Sequence, residues 1–282
     1  MLYEISHTTV YSYDGPVFFD AHTFRLRPRQ DAALKLIDFN LVIEPAPAGL
    51  TESLDVDGNA VTHAWFSGTS DRLAIKAVSK TEAGARNPFD FIFPDAASQK
   101  LPMRYSQSAA ATLAPYLARA NAGAKVDRWA EAIALGVGGE TVPFLVALCR
   151  EIRDRSFYTV REEGDAKPAG ETLDDKRGSC RDLAVLFMDA CRAQGIAARF
   201  VSGYHDSRMN EGQRYMHAWG EVYLPGGGWR AFDPTLGLAV TDGHITVAAA
   251  ADPEDAAPVT GNFRGVAGER SLRADIEITC SG

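Results

Sequence analysis

The sequence predicts an α+β protein in two units, an antiparallel β-sandwich over residues 1–105 and, over residues 106–282, a core whose central helix packs on an antiparallel sheet. Three observations carry this. Short β-branched and aromatic runs broken by turn signals fill the first hundred residues; from Ala109 apolar residues recur at the helical period; and beyond Gly195 the chain returns to strand-like alternation.

Taken in order, strands are expected at residues 2–11, 36–43, 54–57, 61–66 and 73–81. Asp14-Gly15-Pro16, Pro45-Ala46-Pro47 and Asp57-Gly58-Asn59 are the turns between them. Such regular spacing suggests a small sandwich. The stretch from Asn87-Pro88-Phe89 to Ser108 reads as the crossing into the second unit. Helices follow at 113–122, 126–135 and 141–156, then Phe157-Tyr158-Thr159-Val160 and a polar loop through Gly164, Pro168 and Gly170. A helix beginning at Cys180 has Ser179 as N-cap and Asp182 completing a capping box, with Gly195 closing it. Leu183, Leu186, Phe187, Ala190 and Cys191 form its buried stripe. Three strands are expected next, at 196–204, 215–224 and 229–232, and a further pair at 244–248 and 272–279.

Composition bounds the function. The 282 residues carry 29 Lys+Arg against 37 Asp+Glu, a net charge of −8, which speaks against nucleic acid or an anionic membrane as partner. The first residues lack a basic region followed by a long apolar one, so no signal peptide is expected, and no long apolar run predicts a membrane span. Cys149, Cys180, Cys191 and Cys280 form no CxxC pair, which fits reduced thiols in a cytoplasmic protein better than disulfides or a zinc site. Cys149 and Cys191 lie in apolar helical runs and are expected in the core.

Cys180 stands apart, because a thiol in the first turn of a helix feels unpaired backbone N–H groups and the positive end of the helix dipole, both of which favour thiolate. A nucleophile of this kind needs a base that also returns a proton, and His217 in Met216-His217-Ala218-Trp219 is the candidate. Asp233, held extended by Pro234, is placed to meet it from the next strand. Alone, each has a plain reading: a buried cysteine, a strand histidine, a turn aspartate. Asp182 is explained by the capping box alone, and Arg181 meets either a substrate carboxylate or solvent. His205 and Asp206 line a cleft mouth or an exposed turn, and His244 reads as the start of a strand. Trp219 and Trp229 flank the candidate base and acid as core aromatics or as a shield against water. His7, His22 and His63 show no ligand spacing.

The segments RGSCRDLAVLFMDACRAQGIAARFVSGY, MHAWGEVYLPGGGW and AFDPT resemble the transglutaminase-like superfamily, and within it the bacterial transglutaminase-like cysteine-peptidase branch with an N-terminal β domain. The resemblance covers roughly residues 157–265 and implies a papain-like fold for the core. It implies Cys180 as nucleophile, His217 as base and Asp233 as the residue that orients it, acting on a peptide or protein amide. The oxyanion formed on attack would meet the Cys180 N–H and, as a second donor, Tyr158, for which a packed strand aromatic is the competing account. No cofactor and no metal are expected; a site formed by Cys180, His217 and Asp233 has poor metal-ligand spacing. Hydrolysis is favoured over transfer to an amine because no EF-hand-like loop is present. A catalytically silent binding module on the same fold is the alternative from another class.

Overall fold

A computed structural model describes residues 1–84, 87–119, 123–161, 164–206, 215–266 and 269–281. The first unit contains β1 (Leu2–Phe19), β2 (His22–Phe24), β3 (Leu34–Glu44), β4 (Gly49–Leu54), β5 (Ala60–Trp65) and β6 (Ser70–Ala83). The second begins with α1 (Gln107–Leu117), α2 (Ala124–Gly136) and α3 (Thr141–Arg155), followed by β7 (Phe157–Tyr158), α4 (Ala169–Asp175), β8 (Arg177–Gly178) and α5 (Cys180–Ala193). Next come β9 (Ala198–His205), β10 (His217–Leu224), β11 (Gly228–Asp233), β12 (Leu238–Ala239) and β13 (His244–Ala250), and the chain closes with β14 (Val259–Thr260), β15 (Phe263–Arg264) and β16 (Arg270–Ser281). The expected end of the first helix, residues 120–122, lies outside the described residues.

Two antiparallel sheets make the sandwich. One has the order β15-β1-β6-β3 with β16 also paired to β1, and the other is β14-β2-β5-β4. Val17, Phe19, Phe24, Phe66, Leu73 and Ile75 fill the space between them. The sequence placed 106–282 in the second unit, yet β14, β15 and β16 pair with β2 and β1. The expected pairing of the last strand with 244–248 is replaced by twelve register partners along β1, from Leu2↔Ser281 to Tyr13↔Arg270. Alternation in the tail shows that a strand exists; which edge it completes depends on the edge β1 leaves open.

Other differences have local causes. Asp14-Gly15-Pro16 does not turn the chain, because it falls where the β1–β6 register shifts between Ser12 and Val17, and a proline is tolerated in such a break. The strand expected at 54–57 is instead β4, with Asp55 accepting from the Asn59 amide at 2.8 Å across the hairpin turn. α4 occupies part of the expected polar loop. Short β2 was missed for want of enough residues to show a period.

The second sheet, in order β12-β11-β10-β9-β13, is wholly antiparallel and carries α5 on one face. Leu183, Leu186 and Phe187 meet Phe200, Val222 and Phe232, each of the three contributing about 1.5–3 kcal/mol by burial. Gly220 in β10 permits this approach, since a Cβ there would come within 2.6 Å of the Phe187 ring. Gly195 ends the helix as expected, with φ +74° and its N–H bonded to the Arg192 carbonyl at 3.0 Å. Cys149 and Cys191 are fully buried, and burial pushes both thiols up.

Candidate active site

The capping box holds: Asp182 Oδ2 accepts from the Ser179 N–H at 2.8 Å and from its hydroxyl at 2.9 Å, so α5 starts at Cys180. Asp182 does more than cap, however. Its Oδ1 accepts from Arg161 at 2.6 Å and from the Lys167 N–H at 2.8 Å, fastening the loop before α4 to the helix start. Burial opposes its ionisation, but these donors together hold the carboxyl below the usual range. Arg181 donates to the carbonyls of Gly164 at 2.7 Å and Arg161 at 2.6 Å.

Cys180, 8% exposed, sits at the top of the core beside the His217 side chain, whose imidazole it helps to raise. The other face of that ring is fixed: His217 Nε2 donates to Asp233 Oδ2 at 2.6 Å. Nε2 is thus committed to Asp233, and Nδ1 is the ring nitrogen that this bond leaves over. β10 and β11 run side by side with Gly220 opposite Phe232, which puts the start of one strand beside the end of the other and brings the imidazole to the carboxylate. Asp233 is fully buried. Its Oδ1 accepts from the Thr235 and Leu236 N–H groups at 2.9 and 3.1 Å, so the turn after Pro234 pins one oxygen and leaves the other for histidine.

Electrostatics follow from this burial. Desolvation alone would lower the imidazole of His217, but the charge and hydrogen bond of Asp233, helped by Cys180, raise it to about 10. Burial would likewise raise Asp233, yet His217 and His244 hold it far below the usual carboxylate range. At neutral pH the pair rests as imidazolium and carboxylate.

Tyr158 lies in β7 opposite Gly178 of β8, one residue before the N-cap, and the Thr159 N–H donates to the Gly178 carbonyl at 2.9 Å. The phenol is pushed up to about 12, first by burial and then by Cys180 and Asp233, while its ring stays half exposed. Trp219 is fully buried with its ring 6.1 Å from His217. Trp229 instead stacks under the Arg199 guanidinium at 4.1 Å, beside Tyr116 and Tyr223, and so plays no part in shielding the pair.

Two further groups lie here: His244, read from sequence as the start of a strand, and His205, read as lining a cleft mouth or an exposed turn. His244 Nε2 donates to the same Asp233 oxygen at 2.9 Å, and His205 packs between the other imidazoles, 4.4 Å from His244 and 5.6 Å from His217 between ring centroids. Burial and the two neighbouring imidazoles lower His205 to about 4, so it stays neutral. Sequence position could not join the two or choose between the readings of His205, because the strand pairing His244↔His205 decides it. Ligand atoms of His217, Asp233 and His244 lie within 4.8 Å of one another, a different set from the Cys180, His217 and Asp233 site considered from sequence. Their 2.6 and 2.9 Å separations are those of N–H···O bonds, whereas donors arranged around zinc at about 2.0–2.2 Å stand farther apart. Proton-linked contacts describe the cluster as it stands.

A helix-start cysteine beside an imidazole that is bonded to a buried aspartate, on an antiparallel sheet next to a β-sandwich, defines a transglutaminase-like core with an N-terminal β domain. The "Bacterial transglutaminase-like N-terminal region" matches residues 3–82 and the "Transglutaminase-like superfamily" matches residues 127–234. The chain belongs to that superfamily. It is 26% identical over 286 residues to the uncharacterized protein ML0607 of Mycobacterium leprae, covering 98% of this chain and 97% of that one. A protein-glutamine gamma-glutamyltransferase of Pseudomonas aeruginosa is 36% identical over 74 residues, which are 24% of this chain and 11% of that protein. A solved structure from Cytophaga hutchinsonii, provisionally described as a cysteine protease, superposes with a TM-score of 0.73 at 20% identity, covering 99% of this chain and 90% of that one, and shows the shared fold. Among the described residues no helix is long and apolar enough to cross a membrane.

Proposed function

We propose that the protein performs thiol-dependent acyl chemistry on a peptide or side-chain amide, most readily hydrolysis, with Cys180 as nucleophile, His217 as acid and base, and Asp233 as the group that orients and charges His217. The observation that carries this is the single imidazole bonded to buried Asp233 at 2.6 Å and raised in part by Cys180 at the start of α5. The sulfur attacks as thiolate, the form that an imidazolium partner and a helix start both stabilise. A C–S bond forms at the amide carbonyl, and the oxyanion is met by the Cys180 N–H and the Tyr158 hydroxyl. The tetrahedral species collapses with cleavage of the C–N bond, and His217 gives its proton to the leaving amine. Water then loses a proton to His217 as it attacks the thioester, the C–S bond breaks, and acid and thiolate are regenerated.

Transfer to an amine differs only in the second nucleophile, and the 74-residue likeness to a glutamyltransferase keeps that reading in play. The four cysteines, none of them disulfide-bonded, favour a reducing, cytoplasmic setting for the chemistry. Replacing Cys180 with Ala should abolish turnover and covalent acyl-enzyme detected by intact-protein mass spectrometry, while the thermal transition stays in place. Offering the trapped thioester water or a primary amine, and weighing acid against amide product, separates hydrolase from transferase. A Cys180 that iodoacetamide modifies no faster than an ordinary thiol, independently of His217, would point to the silent binding module instead.

A further inference from the structure

We propose that His244 is a positioning residue for the Cys180–His217–Asp233 constellation and that the N-terminal β domain holds it there through β13, an inference resting on the reading of Cys180 as nucleophile. Asp233 has four donors around two oxygens. Two turn amides fix Oδ1, while Oδ2 is shared by His217 at 2.6 Å and His244 at 2.9 Å. With only His217 on Oδ2, the carboxylate could tilt about its pinned Oδ1 together with the imidazole it is meant to orient. The second imidazole removes that freedom. His244 is itself held: its side chain is 3% exposed, Trp219 meets it edge to face at 5.0 Å, His205 packs at 4.4 Å, and Nδ1 lies 3.3 Å from the Asp242 carbonyl.

What fixes the backbone of His244 comes from the other unit. β13 is the outer strand of its sheet, and its free edge is bound by the sandwich rather than left to water. The Arg29 N–H donates to the Thr246 carbonyl at 2.8 Å. Fully buried Asn59 then acts like a strand residue toward Ala249, donating from Nδ2 to its carbonyl at 3.0 Å and accepting its N–H at 2.8 Å on Oδ1. Between these two anchors lies the register shift of β13 against β9, from Thr246 to Ala248. Ile245 and Val247 join Tyr3, Ile5, Ile276 and Ile278 in the core between the units. Since side chains alternate along a strand, the residue whose neighbour docks on the sandwich is the one delivered to Asp233. The β domain thus acts on the site through one strand and one imidazole.

The test reads Cys180 alkylation by iodoacetamide across pH, which needs no knowledge of substrate, together with the far-downfield proton signal of the short His217–Asp233 hydrogen bond. His244→Phe fills the space without a donor and should slow alkylation about tenfold or more near neutral pH, with the downfield proton lost. His244→Gln keeps an N–H in reach of Oδ2 and should restore most of both. Asn59→Ala should act in the same direction, and the double variant with His244→Phe should be no slower than His244→Phe alone, since both act through one strand. An unchanged rate and proton signal in His244→Phe overturn the positioning role; additive effects overturn the part given to the sandwich. A wild type that is already slow and indifferent to His217 defeats the nucleophile reading instead, so the two failures are distinguishable. The groups facing His244 whose titration shapes the profile are Asp233, His217 and His205.

Discussion

At the scale of single residues, the decisive contest is between burial and charge at His217. Burial would drive its proton off, and Asp233 reverses the outcome, carrying the ring from 6.5 to about 10. A folded-state value above the unfolded one means that the stabilisation is complete below pH 6.5 and is lost as pH rises toward 10. Asp233, depressed when folded, contributes above its ordinary 3.8 and loses that contribution as pH falls. The pair therefore stabilises the fold most between those two ordinary values. Replacing Asp233 with Asn should let the His217 ring titrate at 6.5 or below, because desolvation is then opposed by Cys180 alone. Histidine NMR titration reads this directly, and a wild-type His217 that titrates below neutrality would contradict the ion pair. Cys180, His217 and Asp233 were all legible in sequence, since each carries a local signal: a helix start, a strand histidine between packable residues, an aspartate before proline. His244 was not, and His205 was legible only as one of two readings. Nothing near them in the chain reports that β13 lies beside β9.

At the scale of elements, α5 explains why the sulfur is where it is. Its apolar stripe docks on β10 through Phe187 and Gly220, and its capping box sets the first turn. Asp182 was read as a cap and nothing more, because a capping box is a local pattern, while its bonds to Arg161 and Lys167 cross a loop whose path the sequence leaves open. Asp182→Ala removes four buried donor contacts from one carboxylate and should lower stability by about 3 kcal/mol. Chemical denaturation measures the loss, and it should come with faster proteolysis in the loop before α4. Short β2 and α4 escaped detection for a different reason: three and seven residues are too few to display a period.

At the scale of the molecule, the two units share chain. The N-terminal strand is completed by the last one, and Ile276 and Ile278 of that last strand reach the core that also holds Tyr204 and Ile245 of the second sheet. The chain crosses back after building the site, so neither unit closes without the other's residues. Removing residues 270–281 should open the β1 edge and take Ile276 and Ile278 out of the core around Tyr3 and Ile5, at about 1.5–3 kcal/mol of lost burial for each isoleucine. We expect loss of the cooperative thermal transition and aggregation through the bared strand; a truncated protein melting like the full chain would contradict this.

By itself the sequence determined what is written locally in residue order: the α+β class, the strand-rich start, the Cys180 helix with its cap and its Gly195 stop, and the three chemically apt residues. Only the tertiary structure decided which strand edges meet, and with that the place of the last strand, the burial of His244 against Asp233 and the grip of Asn59 on Ala249. The reason is physical. Hydrogen-bonding propensity and apolar period are short-range properties of a segment, whereas an open sheet edge accepts any strand of suitable alternation, and the choice among them is made by the packing of the whole chain.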